Sequence, residues 1–126
     1  SGSNYGNNLD LVAPGNNIYS TYLYDQYIKL NGTSMAAPHV AGLCALILQV
    51  QPLLTNQQVK EILRITTTDL GPNGRDNEYG YGEVHAVKAV DAAELYFTDT
   101  DGDDLTDSEE KYVYYTNRFD SDTDND

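Results

Sequence analysis

From Thr33 to Val50 almost every position that a helix could present is apolar or small: Met35, Ala36, Ala37, Val40, Ala41, Leu43, Ala45, Leu46, Ile47, Leu48 and Val50. A helix that is apolar on every face has no side to give to water, so it is expected in the middle of a layered core. Thr33 is the expected N-cap. Pro38 falls close to the first turn, where a missing amide costs least, and Pro52 closes the segment. No apolar run is expected to be long enough to span a bilayer.

The segments around this helix are short. Leu9-Asp10-Leu11-Val12-Ala13 reads as a buried strand stopped by Pro14-Gly15. Ile18 to Thr21 and Tyr27 to Leu30 read as two more strands, with a loop from Tyr22 to Gln26. After the central helix, Thr55 and Gln58 form a T-x-x-Q capping box, and Val59, Ile62, Leu63 and Ile65 make one apolar stripe. Gly71-Pro72-Asn73-Gly74 is a turn, and Gly80-Tyr81-Gly82 leads into a third helix from about Val84 to Leu95. Strands followed by helices around a buried helix imply an α/β layered domain with a mostly parallel sheet. Three short strands are too few to close such a sheet, so the expectation is the C-terminal portion of a larger domain.

Charge sharpens the organisation. The 126 residues carry a net charge of −13, and no basic cluster is present to meet phosphates, which argues against nucleic-acid binding. From residue 96 onward eleven acids face only Lys111 and Arg118. That shift places a boundary near Phe97, dividing residues 1–96 from an acidic segment, 97–126. The single cysteine, Cys44, excludes an internal disulfide and reads as a small buried hydrophobe. Ser1-Gly2-Ser3 opens the chain without a methionine or a signal peptide, as a processed or cut chain would.

Asn31-Gly32-Thr33-Ser34-Met35-Ala36-Ala37-Pro38-His39-Val40-Ala41-Gly42 runs straight into the central helix. A serine at a helix N-terminus can have its oxyanion met by free amides and the positive end of the helix dipole. Gly32 lets the chain turn sharply and leaves room for a substrate backbone. The bland alternative is that Thr33 or Ser34 only caps the helix. The string, however, resembles the nucleophile segment of the subtilisin-like serine proteases (subtilases, peptidase S8). Ser3-Asn4-Tyr5-Gly6, Asp10-Leu11-Val12-Ala13-Pro14-Gly15, Thr66-Thr67-Thr68 and Tyr79-Gly80-Tyr81-Gly82 extend the resemblance over about the first 95 residues.

That resemblance implies a serine endopeptidase working through an acyl-enzyme on Ser34, with the Ser34 N–H as one oxyanion donor and Thr33 and Met35 lining the site. It also implies a triad aspartate, a triad histidine and an oxyanion side-chain amide, each set further before the nucleophile than this chain reaches. Neither the Asp-Ser/Thr-Gly nor the His-Gly-Thr-His-like setting occurs here. His39 reads as a packing residue, His85 has no acid spaced to orient it, and Asp10 reads as structural. The upstream half of the peptidase domain is therefore required, and the chain by itself is expected to be inactive.

The acidic segment has its own pattern. Asp99, Asp101, Asp103, Asp107 and Glu110 occupy positions one, three, five, nine and twelve of an EF-hand-type loop, with the Leu105 carbonyl at seven. Asp104 stands where such loops usually carry glycine, a place aspartate tolerates better than most residues. The alternative is a solvated acidic tail. The spacing returns at Asp122, Asp124 and Asp126, where the sequence ends. These repeats resemble thrombospondin-type-3-like calcium repeats, which implies calcium as cofactor, a rigidified spacer, and an extracellular or cell-surface setting.

The leading reading is thus part of a secreted endopeptidase acting on peptides or proteins, with a calcium-binding extension. A non-catalytic calcium-binding or adhesive module on a degenerate protease scaffold is the alternative.

Overall fold

A computed structural model describes residues 3–121. Strands β1 (Ile18–Tyr22) and β2 (Gln26–Leu30) pair antiparallel, in a register that sets Ile18 opposite Leu30 and Tyr22 opposite Gln26. Tyr24 and Asp25, at φ 57° and 56°, both adopt the left-handed conformation that turns the hairpin. Tyr19 and Tyr27 stack across the pair with centroids 5.6 Å apart.

Helix α1 (Thr33–Val50) starts one residue earlier than its sequence suggests. Gly32 is the N-cap and makes no side-chain bond, so Thr33 is the first helical residue and not the cap. At φ 148° and ψ 164° Gly32 sits in backbone space that is essentially closed to other residues, and its N–H donates to the Gly15 carbonyl at 2.7 Å. Pro38 lies a full turn inside α1, further than expected, and removes the amide that would have paired with the Ser34 carbonyl.

Helix α2 (Asn56–Ile65) has the capping box read from its sequence: the Gln58 N–H donates to Thr55 Oγ1, and the Thr55 N–H to Gln58 Oε1 at 2.8 Å. Helix α3 (Ala86–Leu95) begins later than Val84, because Glu83 is held in β-bridges and His85, still extended at φ −126°, is the N-cap. Glu83 bridges Val12 on one side and Thr68 on the other. Beyond α3 follow a single helical turn, α4 (Asp107–Glu109), and a π-helical turn, Glu110–Tyr114.

Leu43 and Ile47 of α1 meet Val59, Ile62 and Leu63 of α2, with Leu54 and with Ala89, Ala92 and Ala93 of α3. The three alanines let α3 approach closely, and Ile47 and Ile62 are completely buried.

Two expectations fail for one reason. Helix α1 is not buried all round, for Leu46 is 48% exposed and Leu48 and Val50 are exposed as well. Residues 9–13 form no strand and make one parallel bridge, Val12 to Glu83. In both places the described residues supply a neighbour on one side only. A ladder needs a partner strand, and an apolar face needs a covering layer. The sheet among the described residues is accordingly the antiparallel hairpin.

Its 18 residues and composition also make α1 long and apolar enough to cross a membrane, which corrects the expectation that no run is. In this fold its Leu43 and Ile47 pack into the core with α2 and α3.

Candidate active site

Ser34 is the second residue of α1, so its N–H belongs to the first turn and has no acceptor within the helix. The side chain is exposed. It borders a cleft of about 370 Å³ between the start of α1 and the hairpin, lined by Tyr19, Ile28, Leu30, Met35, Pro38 and His39 among others. On the other side of the helix start, Thr33, Gly32, Asn31, Ala13, Gly15 and Ser3 line a second cleft, of about 580 Å³. Nucleophile candidate and helix N-terminus therefore stand on a ridge between two grooves, where an extended chain can reach them.

The ridge is held from behind. Asn31 Oδ1 accepts the Asn17 N–H at 2.5 Å, and Gly32 is bonded to Gly15, so the chain before β1 and the chain before α1 lie together. A Cβ on Gly15 would sit 2.8 Å from the Gly32 carbonyl oxygen. In the sequence Asn31 and Gly15 stand only as the first residue of the nucleophile string and as part of a turn, with no sign that they support the helix start. Their role depends on contacts with residues about 14 to 17 positions away, which no local pattern displays.

Among the described residues, no histidine or carboxylate pairs with Ser34. His39 Nδ1 is 2.8 Å from the Met35 carbonyl and is spent on its own helix. His85 caps α3, its Nδ1 accepting the Lys88 N–H at 3.3 Å. Asp10 binds Lys60 at 2.9 Å and Arg64 at 2.5 Å. The hydrogen bond from Arg64, then that from Lys60, hold its carboxyl below the ordinary carboxylate value. A lowered folded value means that the pair stabilises the fold above the unfolded carboxylate range and is lost as pH falls through the folded value. The groups are partly exposed, so Asp10→Asn should cost at most about 1 kcal/mol near neutral pH and nothing in strong acid. Urea unfolding at both pH values checks this; an equal loss in strong acid would refute the ionic origin.

The acidic loop is well formed. Carboxylate oxygens of Asp99, Asp101 and Asp103 lie within 4.8 Å of one another. Asp99 accepts the Gly102 N–H at 2.7 Å and the Asp104 N–H at 3.3 Å, and Asp103 accepts the Leu105 N–H at 2.9 Å. Asp104, at φ 74°, is left-handed where EF-hand-type loops use glycine.

Glu110 is 0% exposed, with Oε2 unpartnered and Oε1 accepting the Thr116 hydroxyl at 3.2 Å. Burial pushes its carboxyl up, and the charges of Asp101, Asp103 and Asp107 add to this against the Thr116 bond. Among the described residues, both Asp101 oxygens are also buried without partners. Buried orphaned carboxylate oxygens are costly, and a hard cation fits such a donor set.

Asp107 stands apart from the three converging aspartates. Its oxygens accept the Thr100 N–H and hydroxyl at 2.8 Å and face Arg118 at 3.6 Å, so it closes the base of the loop. The second acidic run, Asp122, Asp124 and Asp126, lies outside the described residues.

Comparison with known proteins assigns the scaffold. The family model described as the subtilase family matches residues 1–82. Subtilisin Savinase of Lederbergia lenta is 51% identical over 88 residues, which are 70% of this chain and 32% of that protein. The minor extracellular protease Epr of Bacillus subtilis is 44% identical over 92 residues, 72% of this chain and 14% of that protein. Among solved structures, the Clostridium perfringens CspB protease superimposes with a TM-score of 0.62 at 31% identity, covering 70% of this chain and 20% of that one. The chain belongs to the subtilase family. It spans less than a third of the length of these relatives.

Proposed function

We propose that this chain supplies the nucleophile segment of a serine endopeptidase. The observation that carries this is Ser34, exposed at the amide-bearing end of α1 between two grooves. In the reaction Ser34 Oγ attacks the carbonyl carbon of a peptide bond and gives its proton to a histidine base. The Ser34 N–H helps to hold the oxyanion, and Thr33 flanks the substrate. The amine product leaves with the proton, and water then releases the acyl group from Ser34. The base, its aspartate and the second oxyanion donor come from outside these 126 residues, so the isolated chain is inactive. Exposed apolar residues on α1 and the sparsely paired segment 9–13 support its place in a larger α/β domain with a parallel sheet. Substrates are peptides or proteins, and the name of the B. subtilis relative supports an extracellular location. A fluorophosphonate should label Ser34 in the protein that contains the full peptidase domain, and should leave the isolated chain unlabelled. An adduct mapped to another residue would overturn the assignment.

The acidic segment from residue 97 is proposed as a calcium-binding extension of the thrombospondin-type-3-like kind. Asp99, Asp101, Asp103 and Glu110 would hold the ion, with the Leu105 carbonyl and with Asp107 beside them. The buried, unpartnered Oε2 of Glu110 favours this over a solvated acidic tail. Calorimetry should show calcium binding that weakens at least ~100-fold in the Asp101→Ala/Asp103→Ala chain, since two carboxylate ligands are lost. Heats unchanged by that pair of substitutions would refute the site. A catalytically dead calcium module would share this result, and labelling of Ser34 separates the two readings.

A further inference from the structure

Helix α3 and the acidic loop are physically one unit. The Asp107 N–H donates to the Thr98 carbonyl at 2.7 Å, returning the loop to the end of α3. One turn later, Lys111 Nζ at 2.9 Å and the Tyr112 hydroxyl at 2.8 Å converge on a single oxygen of Asp91, in the middle of α3. The Tyr112 ring packs against the core shared by α1, α2 and α3. Glu110 lies between these attachments. Its backbone belongs to the same turn as Lys111 and Tyr112, and its buried carboxylate faces the field of Asp101 and Asp103.

We propose that calcium binding to the loop and docking of residues 107–114 on α3 are a single coupled equilibrium, so that calcium stabilises the last helix of the peptidase scaffold. This rests on the calcium reading of the loop. Without a cation, the turn that seats Lys111 and Tyr112 on α3 also holds the Glu110 carboxylate buried, with one oxygen unpaired among the described residues and under the charges of the loop acids. A cation replaces that repulsion with coordination and leaves the Asp91 contacts unopposed. Coupling of this kind is reciprocal: whatever loosens the docking must weaken calcium, although Asp91 is not a ligand. The extension would then act as a clasp on the scaffold and not only as a spacer beyond it.

The test uses the full chain, with calcium chloride as the probe. Amide exchange in α3 should slow on calcium addition by about tenfold or more, and Asp91→Ala should bind calcium about fivefold or more weakly by calorimetry. Tyr112→Phe, which deletes one hydroxyl and keeps the ring, should shift affinity in the same direction by less. Calcium binding with unchanged exchange in α3 and with equal affinity in Asp91→Ala would overturn the coupling and spare the site. Absence of binding to the wild-type chain would overturn both. Should Asp91→Ala fail to fold, the exchange rates of the wild-type chain decide.

Discussion

Ser34→Ala is expected to lower peptidase turnover by at least ~10⁴-fold in a protein carrying the whole catalytic domain, with KM nearly unchanged. In the proposed reaction the Ser34 hydroxyl forms the acyl-enzyme, whereas the helix amides and both grooves survive the substitution. Binding should therefore persist while covalent chemistry stops. Activity that remained within tenfold of wild type would mean that Ser34 is a helix-end serine and no nucleophile. Thr33→Ala serves as the control. Gly32, and not Thr33, caps α1, so loss of the Thr33 hydroxyl leaves the helix start intact. Its effect should fall on KM, through contact with substrate.

The second large effect concerns the core. Ile62→Ala should destabilise the chain by about 2–5 kcal/mol, the range for emptying a packed aliphatic site. Ile62 is fully buried at the centre of α2, facing α1 and α3, and its carbonyl accepts the Thr66 N–H at 3.2 Å and the Thr66 hydroxyl at 2.6 Å. The core is small, so that loss is a large share of the about 5–15 kcal/mol typical of whole domains. Urea unfolding followed by helical circular dichroism measures it. Leu53→Ala, at a residue 81% exposed, should stay within about 0.5 kcal/mol. If the two variants lost equal stability, the packing described for α2 would be incorrect.

Both effects depend on how local and distant interactions divide the structure. The capping box of α2, the turn at Gly71 to Gly74 and the spacing of Asp99, Asp101 and Asp103 are legible because each is decided within a few residues. The start of α1 lies one residue before the place its sequence suggests, because Gly32 caps it through backbone conformation, helped by Gly15, and not through a side chain. The same holds for the Asp91 clasp: its partners lie 20 and 21 residues away, and nothing in either segment announces the other.

The sequence by itself determined that an apolar helix carries Ser34 at its N-terminus and that an acidic loop with calcium-ligand spacing follows the scaffold. Periodicity, capping residues and motif spacing are short-range properties, and short-range physics fixed them. Only the tertiary structure decided which faces are covered. It buried Leu43 and Ile47 while leaving Leu46 exposed, held residues 9–13 to a single bridge, tied Asp10 to an arginine 54 positions away, and sealed one oxygen of Glu110 from any partner. Burial and pairing belong to neighbours brought together by folding, and the residues that need those neighbours carry no local mark of which ones they receive.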